Sequence, residues 1–140
     1  MKDNNNLLGY NTWSAGEYSE NTNGINTNCI VQTTKEYANI GENSIKIINN
    51  EETTKSAYTD NIQCSANKTY TLTCIIYNPD SRVNLVLMGS TGTYSVVGVN
   101  PSDSPKKVDV SYTTTNDAYI LGRWNIYSDY CFIDNITLFM

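Results

Sequence analysis

The sequence contains no histidine, and this absence excludes more chemistry than any residue present. There is no Ser-His-Asp or Cys-His catalysis, no His-ligated zinc and no imidazole switch near neutral pH. Cationic clusters are also missing. Nine Lys and Arg are scattered against fourteen Asp and Glu, for a net charge of −5. Only Lys106 and Lys107 are adjacent, so the clustered basic footprint of a nucleic-acid binder is lacking and no nucleic-acid partner is expected. No run approaches the ~18–20 apolar residues of a membrane-spanning helix, so membrane insertion is not expected either. Residues 1–6 have no apolar core and do not form a secretory signal. The chain either acts without export by that route or is a piece of a longer protein. The four cysteines, Cys29, Cys64, Cys74 and Cys131, contain no CxxC pair, which leaves zinc-knuckle and thioredoxin-like motifs unsupported.

What is present is strand-forming. The 140 residues include eleven Tyr, two Trp and two Phe, more aromatics than disordered chains carry. No stretch sustains an apolar i, i+3, i+4, i+7 spacing, whereas β-branched and aromatic runs alternate with Asn, Gly, Asp, Ser and Pro clusters. Strands are predicted over 29–34, 44–48, 56–64, 69–77, 82–88, 93–99, 107–113, 118–126 and 131–139. Short strands at such intervals predict an all-β antiparallel sandwich of about eight to ten strands; mixed β with helices on one face is the alternative. Residues 1–6 are expected to be a flexible lead-in and residues 7–140 one domain. Tyr70, Leu72, Cys74 and Ile76 alternate and should face the core, so Cys74 is read as a small buried apolar residue. Buried free thiols or two disulfides both fit an even cysteine count.

Four segments together resemble a known family. They are Asn6-Leu7-Leu8 followed by Trp13, Gly41-Glu42-Asn43-Ser44-Ile45-Lys46-Ile47, NIQCSANKTYTLTCIIYN at 61–78, and CFIDNITLF at 131–139. In this order they resemble the jelly-roll carbohydrate-binding modules of families 4, 9 and 22, in the galactose-binding-like group. The chain departs from them at Tyr10-Asn11-Thr12-Trp13, where an acid is common, and at Ala66-Asn67-Lys68, which lacks the usual glycine. The resemblance implies a jelly-roll sandwich, non-catalytic binding of a glycan or polysaccharide, and a structural Ca²⁺ held by Asp134. Glu42 and Ser44 would join Asp134 as candidate ligands, since Ca²⁺ takes six to eight oxygens. A bare alternative places Asp134 at a strand end, hydrogen-bonded to a turn. Such domains occur in larger enzymes, fibres and surface proteins, which implies an extracellular, cell-surface or virion setting.

Sugar recognition combines flat apolar platforms with a few placed polar groups. Trp13, Tyr94, Trp124 and Tyr127 are the candidate platforms, with Arg123 and Asn125 as candidate hydrogen-bonding partners. Trp124 carries a second reading, because it alternates in register with Ile120 and Ile126. If those two face the core, Trp124 joins them, and Tyr119, Arg123 and Asn125 line the opposite face. Two other functions stay open: a structural or adhesive domain of a phage tail fibre or surface protein, and a small hydrolase using two facing carboxylates.

Overall fold

The computed structural model describes residues 18–22, 25–34, 44–49, 54–59 and 61–140, the first two segments by backbone alone. Eleven strands follow one another: β1 (Tyr18–Thr22), β2 (Ile25–Thr34), β3 (Ser44–Asn49), β4 (Lys55–Tyr58), β5 (Ile62–Gln63) and β6 (Thr69–Tyr77). Then come β7 (Val83–Gly89), β8 (Tyr94–Val99), β9 (Lys106–Thr113), β10 (Tyr119–Ile126) and β11 (Asp129–Phe139). All pairings are antiparallel. One sheet runs β8-β7-β10-β4 and the other β3-β11-β6-β9. The strand β2 joins them at a corner, pairing with β4 through Asn26 and Thr27 and with β3 through Ile30 to Thr34. The result is the expected jelly-roll sandwich.

Period-two alternation decides which side chains fill it. From one sheet Leu85, Leu87, Ile120, Trp124 and Ile126 point inward. From the other, Ile45, Ile47, Leu72, Ile76, Ile133 and Leu138 meet them, all essentially without solvent contact. The layers approach closely enough that a Cβ on Gly122 would stand 2.6 Å from Leu72 Cδ2. Outward residues of β6 pair hydroxyls instead, Thr69 with Thr113 and Thr71 with Ser111.

Two local features differ from expectation. The single strand predicted over 56–64 is divided into β4 and β5. Thr59 causes the break: its N–H donates to Gly122 O at 2.9 Å, while its Oγ1 accepts from Gly122 N–H at 3.0 Å. A side-chain oxygen thus replaces a backbone carbonyl in the ladder, and the chain leaves the β10 register there. The strand β1 was not anticipated, since YSENT lacks apolar alternation. By contrast, the missing turn glycine is supplied in kind, because Asn67 takes a left-handed φ of 57°, a conformation that asparagine tolerates better than most residues.

The β7–β8 hairpin is anchored from the far side by Asp117. Its Oδ1 accepts from the N–H and hydroxyl of Thr91 at 3.2 and 2.9 Å. Its Oδ2 accepts from Tyr112 Oη at 2.9 Å and Thr115 N–H at 3.0 Å. A Cβ on Gly89 would collide with this carboxylate. The Thr115 N–H is the main cause that holds the Asp117 carboxyl down at about 2; the Thr91 and Tyr112 donors add to it and desolvation opposes it. The depressed value means that Asp117 stabilises the fold fully above its ordinary pKa and loses that contribution as pH falls through about 2. Asp117→Asn should therefore lower the thermal midpoint at pH 7, and the gap to wild type should close between pH 4 and pH 2, as a pH series of melting curves would show.

Candidate functional site

Because Ile120, Trp124 and Ile126 face the core, Leu121, Arg123 and Asn125 face out, and the cross-strand register extends them into rows. Gly98, Asn84, Asn125 and Ser56 form one row, and Val96, Val86, Arg123 and Tyr58 the next. Tyr94, Met88 and Leu121 form a third. Over these rows lies a groove of about 330 Å³, lined by Asn84, Val86, Met88, Gly92, Tyr94, Val96, Arg123 and Asn125. Its first and third rows are four residues apart along β7, a reach of roughly 13 Å.

The floor is apolar, and Val96 and Tyr94 are 52% and 61% exposed. Large apolar surfaces left open in this way mark recognition sites more often than isolated exposed residues do. The polar groups are held in place by one another. Asn125 Oδ1 accepts from Arg123 Nε at 2.6 Å and from Ser56 Oγ at 2.8 Å, which turns the Asn125 amide NH₂ away from both. Asn84 Nδ2 donates to Tyr127 Oη at 3.1 Å, drawing the exposed Tyr127 ring to the end of the groove. The Asn84 Oδ1 is buried without a hydrogen-bond partner. Beyond Asn84, Arg82 covers Gly98 and donates from Nη1 to Asn100 Oδ1 at 2.8 Å.

Tyr94, Arg123 and Asn125 thus share the groove lining, and Tyr127 stands at its edge, bonded to Asn84. Trp124 is a correction: its side chain is 0% exposed in the centre of the core, so it presents no face to a ligand. The strand register it shares with Ile120 and Ile126 is the reason. Its indole Nε1–H has no hydrogen bond of ordinary geometry and is turned toward the Cys74 thiol, a weak acceptor. Burial pushes that thiol up to about 12, against the smaller opposing pull of the indole. Cys64 and Cys74 are free thiols. Trp13 and Glu42 lie outside the described residues, as do the lead-in 1–6 and the segments around Leu8 and Gly41. Sequence reasoning missed Asn84, Val86, Met88 and Val96. The available signal was the alternation of β7, where Leu85 and Leu87 facing inward place Asn84, Val86 and Met88 outward.

Asp134 and Ser44 are both buried. They stand side by side, each one step past the last β3–β11 pair, Ile45 with Ile133. Asn135 follows with φ 53°, inside a register shift between Asp134 and Thr137. A buried carboxylate beside a hydroxyl is a chemically suitable part of a Ca²⁺ ligand set. Among the described residues no three of His, Cys, Asp and Glu gather around one point.

Neither a known protein-family model nor a curated protein sequence matches the chain. Solved structures do. A family 22 xylan-binding domain from Paenibacillus barcinonensis superposes with a TM-score of 0.66 at 12% identity, over 91% of this chain and 97% of that one. A family 61 module in complex with β-1,4-galactotriose gives a TM-score of 0.64 at 15% identity, over 96% and 97%. The chain has the jelly-roll fold of carbohydrate-binding modules. The tailspike protein 4 enzymatically active domain of bacteriophage CBA120 carries the same fold, with a TM-score of 0.69 at 11% identity; this chain covers 21% of it.

Burial predicts opposite outcomes for the two aromatic candidates. Trp124→Ala should cost about 3–5 kcal/mol of stability by leaving a core cavity, whereas Tyr94→Ala should leave the urea midpoint within the scatter of wild type.

Proposed function

We propose that this domain is a non-catalytic glycan-binding module whose ligand lies in the groove over β8, β7 and β10. The observation that carries the proposal is the exposed Tyr94 ring in one groove with an apolar floor and the fixed Arg123 and Asn125, Tyr127 being held at the far edge by Asn84. A pyranose ring offers an apolar C–H face for a phenol ring and hydroxyls for amide and guanidinium donors, which is the mixture present. The length of the groove suits an oligosaccharide better than a single sugar. Xylan and galactotriose, named for the structural neighbours, are the first ligands to test.

Among the described residues the groove lining contains no Asp or Glu, and the chain contains no histidine. The described lining thus offers no pair of groups for the proton transfers that glycoside hydrolysis needs, which supports a binding role over an enzymatic one. Such modules gain useful strength when tethered to an enzyme, a fibre or a surface, and an extracellular, cell-surface or virion setting fits that use. The tailspike likeness supports a second reading, a structural or adhesive domain of a fibre. Titration calorimetry against xylohexaose, β-1,4-galactotriose and a broader glycan panel separates the two. Glycan binding predicts millimolar to micromolar affinity for at least one ligand and a loss of about tenfold or more with Tyr94→Ala, as for other central aromatic contacts. Silence across the panel, with self-association into trimers, would favour the fibre reading.

A structural Ca²⁺ is part of the same proposal. Asp134 and Ser44 would hold it, with Glu42 and backbone carbonyls completing the shell, and it would tie β11 to the chain before β3. Adding Ca²⁺ after chelator treatment should raise the melting temperature of wild type but not of Asp134→Ala; an unchanged wild-type melt would remove the metal.

A further inference from the structure

The geometry points to an acidic glycan, one bearing a uronate or similar carboxylate, as the ligand class of this groove; the inference rests on the glycan-binding reading. The protein as a whole is acidic, with a net charge of −5, yet among the described residues the groove lining carries one cation, Arg123, and no anion. Arg123 is half-buried and is fixed through Nε by the Asn125 carbonyl at 2.6 Å. Among the described residues no carboxylate pairs with it. A guanidinium drawn partly out of water, with no counter-charge among the described residues, suits a carboxylate ligand, which its planar fork matches in two parallel hydrogen bonds.

The neighbouring groups favour the same ligand charge. Asn125 Oδ1 is already occupied by Arg123 and Ser56, so the amide offers its NH₂ to the groove as a donor. Tyr127 Oη accepts from Asn84 Nδ2 and keeps its own proton to donate. The second guanidinium, Arg82, stands over Gly98 in the same row as Asn84 and Asn125. Arg123, turned toward Asn125, sets its charge against the Asn84 and Asn125 row. There the unpaired Asn84 Oδ1 is an acceptor that a ligand hydroxyl can meet, while Tyr94, Val86 and Val96 form the apolar part of the lining. A sugar ring would stack on the apolar part with its carboxylate toward Arg123. Charge-assisted contacts of this kind are stronger than neutral ones and are weakened by salt.

The test compares matched ligands that differ only in charge. Oligogalacturonide and glucuronic-acid-substituted xylo-oligosaccharide are each titrated calorimetrically beside their carboxyl-reduced derivatives, at 20 and 300 mM NaCl, into the wild-type domain. At least one acidic ligand should bind about tenfold or more tightly than its reduced form at low salt, with the preference shrinking at high salt. Arg123→Gln should erase the preference while keeping the wild-type melting temperature, and Arg123→Lys should restore part of it. If reduced and acidic forms bind equally, and Arg123→Gln weakens both alike, the acidic specificity is overturned while glycan binding stands. If no acidic, reduced or neutral oligosaccharide binds, the glycan reading fails and this inference fails with it.

Discussion

The inward row of β10 is the constraint on which the rest depends. Ile120, Gly122, Trp124 and Ile126 pack against the second sheet. A tryptophan without solvent contact and a glycine that admits Leu72 leave no freedom to shift the strand by one residue. A slip would turn every side chain over, exposing Trp124 and burying Arg123 without a counter-charge. The register that seals the core therefore also fixes Arg123 and Asn125 on the outer face. Through the pairings with β7 and β8, it places Val86, Val96 and Tyr94 beside them. Core and groove are two sides of one strand.

The groove has one rim that the core alone would not hold. Tyr94 lies at the start of β8, just after the Gly89–Thr93 turn, where hairpins ordinarily move most. Asp117 reaches this turn from the loop before β10 and binds Thr91 through backbone and hydroxyl, while Tyr112 of β9 holds the other carboxylate oxygen. The hairpin is thereby connected to both the loop before β10 and strand β9. An aromatic platform fixed before a ligand arrives loses less entropy on binding than a mobile one, so in the proposed glycan-binding role Asp117 would contribute to recognition by holding this hairpin.

Much of this was legible in the sequence where alternation was strong. The limits of β6 follow from TYTLTCIIY, and the shared register of Ile120, Trp124 and Ile126 contains the information that Trp124 is core. Three kinds of feature escaped. The division of β4 from β5 depends on one hydroxyl, Thr59, entering a backbone ladder, which has no hydrophobic signature. Val86 and Val96 are apolar on an outward face, so alternation that reads apolar as inward misplaces them. The role of Asp117 comes from partners 26 and 5 residues distant, a long-range pattern that composition does not encode. Asn67 shows the reverse case: the departure from a family glycine was visible, and its left-handed backbone explains why it is tolerated.

The central claim is that the outer face of β7, β8 and β10 is a binding surface produced by the core register. Amide and side-chain chemical shifts, followed during titration with xylo-, galacto- and uronate-bearing oligosaccharides, address it most directly. The account predicts perturbations concentrated at Asn84, Val86, Tyr94, Val96, Arg123 and Asn125, with the Trp124 indole signal nearly unmoved. Perturbations confined to the outer face of β6 and β9, or none with any oligosaccharide, would contradict it.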